Sequence, residues 1–251
     1  MQILLANAKT MNDIAAKTPL TTPRFQETTE KMAAEMARMD IGELSRLLNC
    51  NTKIAAENRQ RYHNFAIAEK TPALLAYNGQ AYKHLRADTL SEAALEYAQR
   101  HLWITCFLYG LLRPMDGIAP YRMEHNATLE ATDGKPADQF WKDKLTDVLI
   151  NSVKADDGVL IHLSTKEYEH LFDWKRVCRE VTVVHPLFYV RQKDGRLRMQ
   201  TVWAKACRGA MARYILCRCP LTLDELAAFS YEGFEYAPQL GEKAFPHFVR
   251  E

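Results

Sequence analysis

The sequence predicts a single α+β domain over residues 1–251, with a mixed β-sheet flanked by helices. Apolar residues make up 47% and charged residues 25% of the chain, the composition of an ordinary globular protein. Segments with strand and helix patterns follow one another without a regular βαβ rhythm, which favours α+β over a doubly wound sheet. No internal repeat, low-complexity tract or Gly/Ser-rich linker divides the chain, so one domain is expected.

The composition also excludes several classes of protein. No stretch approaches the ~20 apolar residues of a membrane span, so a membrane partner is not expected. The first residues lack the basic and apolar regions of a signal peptide, and the cytoplasm is the expected compartment. The six cysteines have no framework spacing and are interpreted as thiols. A net charge of +2 is too small to indicate a nucleic-acid partner by itself.

The first half of the chain combines one early strand with several helices. Gln2–Ala6 has the pattern of a buried strand, and a polar loop follows it. A helix begins at Phe25, because Met32 and Met36 recur at helical spacing as a core stripe. Further helices are expected at 41–48, at 52–65 and from the Ser91 cap to residue 101, and short strands at 73–77 and 103–108.

The second half is expected to alternate between helices and strands. A helix is predicted at 137–153, followed by a buried strand at Val159–Leu163. Strands at 181–190 and 197–202 flank Asp194 and Gly195, a dipeptide that predicts a hairpin turn. A helix at 204–216 follows, and residues 229–248 have the pattern of one or two strands with loops.

Common cofactor motifs are absent from the sequence, and neither a metal nor a cofactor is expected. There is no GxGxxG motif, phosphate loop, GxSxG or HExxH. Glu167 and His170 have the spacing of one di-iron ligand pair, but such a site needs two pairs and two further glutamates. Cys207, Cys217 and Cys219 could form a soft-metal corner, although thiols at chance positions explain them better.

The segment 204–216 carries three cations on one helical face. Lys205, Arg208 and Arg213 lie on this face with no acidic residue four positions further on. Gly209 lies beside them, and a glycine within a helix costs about 1 kcal/mol relative to alanine. It therefore indicates close approach by a phosphate or by a neighbouring backbone. The pattern fits either an anion-binding face or a solvated basic face with a packing glycine.

Two more arginines lie near prolines in an otherwise apolar segment. Arg113 precedes Pro114, and Arg122 follows Pro120 by two positions. Each either pairs with a carboxylate, Asp116 or Glu124, or presents its planar guanidinium to an anion.

A third group of polar residues follows the strand that ends at Leu163. Ser164, Thr165, Glu167 and Tyr168 leave a buried strand at the position where binding sites of α/β proteins gather. The hydroxyls of Ser164 and Thr165 could instead cap a following helix. Ser164 as a nucleophile has no evident base partner in the sequence.

Taken in this order, these segments resemble the YaaA family of bacterial peroxide-stress proteins over essentially the whole chain. The residues that carry the resemblance are Ala8-Lys9-Thr10, Tyr109-Gly110, Leu112-Arg113-Pro114, Asp116, Pro120-Tyr121-Arg122, Glu124, Gln139-Phe140-Trp141, Glu167-Tyr168, Ala204-Lys205, Arg208-Gly209, Met211, Arg213 and Glu232-Gly233-Phe234. The sequence departs from the family pattern at four positions: Ala6 and Asn7 replace Ser and Pro, and His162 and Thr165 replace Asn and Ser.

The resemblance implies a cytoplasmic protein of the YaaA-type fold that limits iron-driven oxidative DNA damage and lowers free iron. It also implies DNA binding through a positively charged cleft and a helix-hairpin-helix-like pair, here 41–48 and 52–65. The implied phosphate-binding residues are Lys9, Arg113, Arg122, Lys205, Arg208 and Arg213 in the cleft and Lys53, Arg59 and Arg61 in the helix pair. The implied polar cleft residues are Thr10, Thr165, Glu167 and Tyr168. The connector 49–51 lacks the Gly-x-Gly of such hairpins, so a simple packed helix pair is the alternative.

The leading functional hypothesis is binding of double-stranded or branched DNA, with little sequence specificity and a strong dependence on salt. The main alternative is an enzyme that acts on a nucleotide or another phosphate-bearing small molecule. It would use Lys9, Arg113, Arg122 and Glu167, with Tyr168 as a proton donor. A third hypothesis is a structural protein whose basic groups are ion-paired.

Overall fold

The computed structural model describes residues 1–12 and 19–251, in which ten helices and twelve strands form. The strands are β1 (Gln2–Ala6), β2 (Thr71–Pro72), β3 (Leu102–Cys106), β4 (Gly110–Leu112), β5 (Gly117–Ile118), β6 (Val159–Leu163), β7 (Thr182–Val184), β8 (Leu187–Arg191), β9 (Leu197–Arg198), β10 (Ser230–Tyr231), β11 (Phe234–Glu242) and β12 (Phe245–Arg250). The helices are α1 (Gln26–Arg38), α2 (Ile41–Leu47), α3 (Thr52–His63), α4 (Ala73–Ala76), α5 (Gln80–Leu85), α6 (Glu92–His101), α7 (Ala137–Lys154), α8 (Lys166–Glu169), α9 (Trp174–Glu180) and α10 (Thr201–Arg218).

A mixed five-stranded sheet with β1 at its centre organises the fold. Strand β1 pairs in parallel with β3 on one side and with β6 on the other, so that Leu4 lies opposite both Trp103 and His162. Strand β7 extends the sheet in parallel beyond β6, while β4 closes the other edge in antiparallel orientation beyond β3. Strand β1 is almost fully buried, as expected of a strand covered on both faces.

A second five-stranded sheet is formed by the C-terminal part of the chain, in the order β10-β11-β12-β8-β9. Strands β12 and β8 are parallel, and the other neighbours are antiparallel. Its core is aromatic: the Phe188 ring stacks on Phe248 with centroids 5.6 Å apart, and Phe234 packs edge-on against Phe188. Strands β2 and β5 form a separate two-stranded ladder.

Most of the elements expected from the sequence are confirmed. The methionine stripe of α1 is buried at Met32 and Met36, and Ser91 caps α6 by accepting a hydrogen bond from Ala94 N–H at 3.2 Å. The hairpin between β8 and β9 turns at Gly195, whose φ of +81° suits glycine. The mixed sheet is confirmed as well.

Three expectations about the strands are wrong. Residues 73–77 do not form a strand: α4 begins there, because the N–H groups of Ala73 and Leu74 bond to carbonyls of the 114–116 turn. The strand expected at 181–190 is two strands in different sheets, broken at Pro186, which has no N–H to donate to a ladder. The strand expected at 197–202 ends at Arg198, because α10 begins at Thr201.

The parallel part of the central sheet is more regular than the sequence indicated. The connection from β1 to β3 contains six helices, α1 to α6, and this long insertion hides the crossover in the sequence. Because β3 and β6 lie on opposite sides of β1, the chain order reverses at β1. Such a reversal opens a crevice beyond the carboxyl end of the central strand. Among the described residues, no helix has the length and apolar character needed to cross a membrane.

A basic cleft at the carboxyl end of the central strand

The crevice beyond β1 holds a cavity of about 340 Å³. Its walls are the loop after β1, the segment after β6, the start of α5 and one face of α10. Seven residues proposed from the sequence line it: Lys9, Thr10, Thr165, Glu167, Tyr168, Lys205 and Arg208. The structure therefore brings the loop after β1 and the polar segment after β6 together with the basic helix α10, although the three are far apart in the chain.

Arg208 is the least exposed cation of this cavity. Burial lowers the pKa of its guanidinium, and its Nε atom is buried without a hydrogen-bond partner among the described residues. No carboxylate in residues 1–12 or 19–251 lies within ion-pair distance of Arg208, and the same holds for the exposed Lys205. Charged groups removed from water are normally paired, so this half-buried guanidinium has unused capacity to donate hydrogen bonds.

Gly209 and Arg213 have structural roles where α10 crosses α5. A Cβ atom at Gly209 would lie 1.8 Å from the carbonyl oxygen of Ala81, so the glycine permits backbone contact between the helices. Of the two explanations expected for this glycine, the structure supports the neighbouring backbone. Arg213 Nη1 donates to the carbonyls of Leu85 at 3.0 Å and Arg86 at 2.8 Å, at the end of α5. Arg213 therefore supports a wall of the cleft instead of lining it.

Lys9 and Arg122 share one carboxylate beside the cavity. Lys9 Nζ donates to Glu124 Oε2 at 2.6 Å, and Arg122 Nη2 lies 2.8 Å from Glu124 Oε1. Arg122 thus takes the ion-paired alternative considered from the sequence. Lys9 remains more than half exposed, at 56%, and can still face a ligand at the mouth of the cleft.

Asn7 connects the cleft to a buried chain of tyrosine hydroxyls. The Tyr168 hydroxyl donates to Asn7 Oδ1, and Asn7 Nδ2 donates to the Tyr121 hydroxyl at 3.0 Å. Tyr121 in turn shares a hydrogen bond with Tyr77 at 2.8 Å. Burial raises the pKa of Tyr168, so this hydroxyl is neutral and its proton is already engaged. Asn7 was recognised in the sequence only as a departure from a motif, and its bridging role depends on contacts that the sequence does not reveal.

Arg113 lies at the amino ends of the parallel strands of the central sheet, whereas the cleft lies at their carboxyl ends. Its Nη1 donates to Gln2 Oε1 at 3.3 Å and to the Leu102 carbonyl at 3.1 Å, and these residues begin β1 and β3. The guanidinium stacks on the Trp103 ring at 3.3 Å, and burial lowers its pKa to about 10. Strand β4 runs antiparallel to β3, so Arg113, which follows β4, lies beside the amino ends of the parallel strands.

The helices α2 and α3 form the expected pair, outside the cleft. The N–H groups of Asn49 and Cys50 in the connector bond back to α2, at 3.3 Å and 3.1 Å. Arg59 Nε donates to the Met39 carbonyl at 3.1 Å, and Arg61 is ion-paired with Glu57. Lys53 is exposed. A helix pair is confirmed, and its action as a helix-hairpin-helix element stays a prediction.

The short helix α5 was not predicted from the sequence, although its first turn forms one wall of the cleft. A helix of six residues is too short to show periodicity. Gly79 was the available signal: a Cβ atom there would lie 2.7 Å from the Ala8 side chain, so the loop after β1 passes directly over it.

Fold and cleft together define a mixed α/β protein with a basic crevice at the switch point of its sheet. A family model described as peroxide stress protein YaaA matches residues 1–240. The chain is 44% identical over 247 residues to a UPF0246 protein of Bacteroides fragilis, covering 97% of this chain and 96% of the relative. It is 43% identical over 257 residues to a UPF0246 protein of Porphyromonas gingivalis, with all of both chains covered. The chain belongs to the YaaA family of peroxide-stress proteins.

Proposed function

We propose that the protein acts in the peroxide-stress response by binding DNA in this cleft and thereby limits iron-driven oxidative DNA damage. The observation that carries the proposal is Arg208, a largely buried guanidinium without a carboxylate partner among the described residues. A phosphate group supplies the acceptors that this guanidinium lacks, and the fork of an arginine matches phosphate geometry.

Two further cations extend the phosphate-binding surface. Lys205 lies one helical turn before Arg208 on the same face and is exposed at the cavity. Lys9 lies at the mouth on the opposite wall. Phosphate contacts of this kind hold a nucleic acid in place without reading its sequence, so we expect similar affinity for different sequences. On this proposal, Lys53, Arg59 and Arg61 of the helix pair add contacts outside the cleft.

A nucleotide or another small phosphate-bearing molecule is the second candidate ligand, with the protein then acting as an enzyme. The volume of the cavity favours this candidate, since about 340 Å³ is within the range of small-molecule sites. Its position at the switch point of the sheet is one that nucleotides commonly occupy. Glu167 and Tyr168 would face the non-phosphate part of such a ligand.

Fluorescence anisotropy with duplex, single-stranded and branched DNA tests the proposal, at several salt concentrations between about 50 and 200 mM. We expect Lys205→Glu with Arg208→Met to weaken duplex binding at least about tenfold and to reduce the salt slope by about 2, since two phosphate contacts are lost. Lys193→Glu, on the exposed β8–β9 turn, is the matched charge control and should leave affinity nearly unchanged.

Equal affinity for DNA in the double variant and the Lys193 control would overturn the cleft as the DNA site. Circular dichroism of each variant checks that the chain is folded. Negligible DNA binding by the parent protein, together with saturable nucleotide binding that Arg208→Met abolishes, would support the second candidate instead.

A further inference from the structure

A cluster of two histidines and one glutamate lies beside the cleft. His162 comes from β6, Glu169 from the end of α8, and His185 from the loop between β7 and β8. Each offers one ligand atom, and these atoms all lie within 4.8 Å of one another. His162 is buried and the other two residues are half-buried, so packing holds the group in place.

His185 has a feature that contacts within the chain do not explain. Its Nε2 atom is buried and has no hydrogen-bond partner among the described residues. The centroid of the His185 ring lies 4.4 Å from that of the His162 ring, and the backbone N–H of His185 donates to the Ala244 carbonyl at 2.7 Å. An unpaired buried ring nitrogen is destabilising, and a bound ion would remove this cost.

We propose that His162, Glu169 and His185 bind a divalent transition-metal ion of the Zn²⁺ type. Two imidazoles and one carboxylate are ligands suited to Zn²⁺, Co²⁺ or Fe²⁺, whereas Ca²⁺ and Mg²⁺ prefer oxygen ligands throughout. The Glu169 carboxylate offsets part of the ion's charge. Three protein ligands leave a coordination position open for water or for a group bound in the neighbouring cleft.

The protonation states of the cluster fit this role. Burial and, to a smaller extent, the charge of Arg208 lower the pKa of both histidines, to about 3 for His185. Burial thus favours the neutral form of both rings, which is the form in which histidine binds metal ions. The strand that carries His162 ends at Leu163, which lines the cleft together with Arg208, so the proposed ion adjoins the basic face of α10.

Binding of the ion requires one change of tautomer. His162 Nδ1 accepts from the Ser164 N–H at 3.3 Å, and its Nε2 donates to Glu169 Oε1 at 3.0 Å. When the ion takes the place of the Nε2 proton, the ring carries its proton on Nδ1 instead. The Ser164 hydroxyl is buried without a partner among the described residues, and we expect it to accept a hydrogen bond from this Nδ1–H in place of the bond that the Ser164 N–H now makes to Nδ1.

The sequence did not predict this site, because its ligands are spread over residues 162, 169 and 185 and form no compact motif. His162→Asn is a conservative test of the cluster. It removes a ligand while keeping a polar side chain of moderate size.

Titration of the protein with Co²⁺, monitored by visible absorption, tests the proposal. Zn²⁺ is then added to compete for the same site. The experiment uses a background with Cys178→Ser, Cys217→Ser and Cys219→Ser, because these three thiols are exposed and could bind the ions themselves. We expect one equivalent of Co²⁺ to bind, and His162→Asn and His185→Gln each to weaken binding at least about tenfold. His170→Gln, one residue beyond Glu169 and exposed, is the matched control and should bind as the parent does.

A thermal melt with and without Zn²⁺ separates metal binding from a purely structural role. Zn²⁺ should raise the melting temperature of the parent and the His170 control but not that of His162→Asn. If His185→Gln fails to fold, Glu169→Gln, which retains a side-chain oxygen for His162, replaces it. The proposal is overturned if Co²⁺ does not bind, or if it binds equally well to the parent and to both histidine variants.

Discussion

Glu124 shows how one carboxylate sets the charge beside the cleft. Its two oxygens face Lys9 and Arg122, and its side chain is only 9% exposed. A carboxylate held in this way contributes more to stability than an exposed surface pair, because its removal leaves a largely buried arginine unpaired. The unpaired positive charge of the cleft is consequently concentrated on α10.

Replacing Glu124 by Gln should therefore lower the free energy of unfolding by about 1–3 kcal/mol. Glu167→Gln provides the control, since Glu167 lines the same cavity but is exposed. Urea unfolding followed by circular dichroism measures both. Equal losses for the two variants would show that Glu124 has no special structural role.

The residue types of the cleft could be predicted from the sequence, but their pairing could not. The resemblance grouped Lys9, Lys205 and Arg208 in one cleft, and all three line one cavity in the structure. Arg113 was grouped with them as well, but it lies at the amino ends of the parallel strands. Its position depends on the orientation of β4. Short-range sequence patterns carry no information about that orientation.

Among the elements, the contact between α5 and α10 determines the shape of the cleft. The two backbones touch at Ala81 and Gly209, and Arg213 holds the end of α5. Lys205 and Arg208 occupy the same helix, so their distance from α5 and from the loop after β1 depends on this contact. Backbone contact of this kind leaves no space for even one additional methyl group.

Gly209→Ala should destabilise the protein by at least about 2 kcal/mol, because the added Cβ would overlap the Ala81 carbonyl. Gly42→Ala in α2 is the control: its nearest neighbour would be Asp40 Oδ1, at 3.2 Å, and the change should stay within about 1 kcal/mol. Thermal denaturation of the two variants measures the difference. A Gly209 variant as stable as the Gly42 variant would contradict the contact.

Long periodic helices could be predicted from the sequence, whereas short elements could not. Helices α1, α6, α7 and α10 have enough turns for their apolar stripes to show. Helices α4 and α5 have four and six residues, and their conformations depend on tertiary contacts. Pro186, which separates β7 from β8, was visible in the sequence and was the available sign that one expected strand is two.

At the scale of the whole molecule, buried tyrosines determine how stability responds to alkaline pH. Burial raises the pKa of the hydroxyl of each of the six buried tyrosines, which are Tyr62, Tyr77, Tyr82, Tyr109, Tyr121 and Tyr168. In the unfolded chain, tyrosines ionise near pH 10. Above that pH the unfolded state binds fewer protons than the folded state, so stability falls as pH rises.

The melting temperature should accordingly drop steeply above about pH 10. As the pH rises, the ultraviolet absorbance of tyrosinate should increase in two phases. The exposed tyrosines ionise in the first phase, and the six buried tyrosines ionise in the second, when the chain unfolds. Circular dichroism recorded on the same samples identifies the unfolding phase. A single titration near pH 10 in a chain that remains folded would show that the six hydroxyls are accessible.

The central position of β1 has a consequence for synthesis on the ribosome. Strand β1 is made long before its partners, because β3 begins at Leu102 and β6 at Val159. At a translation rate of about 5–20 residues per second, on the order of ten seconds pass between the synthesis of this apolar strand and that of β6, its second partner. During that interval chaperones or neighbouring nascent chains can bind the unpaired strand. Correct folding therefore depends in part on the speed of translation.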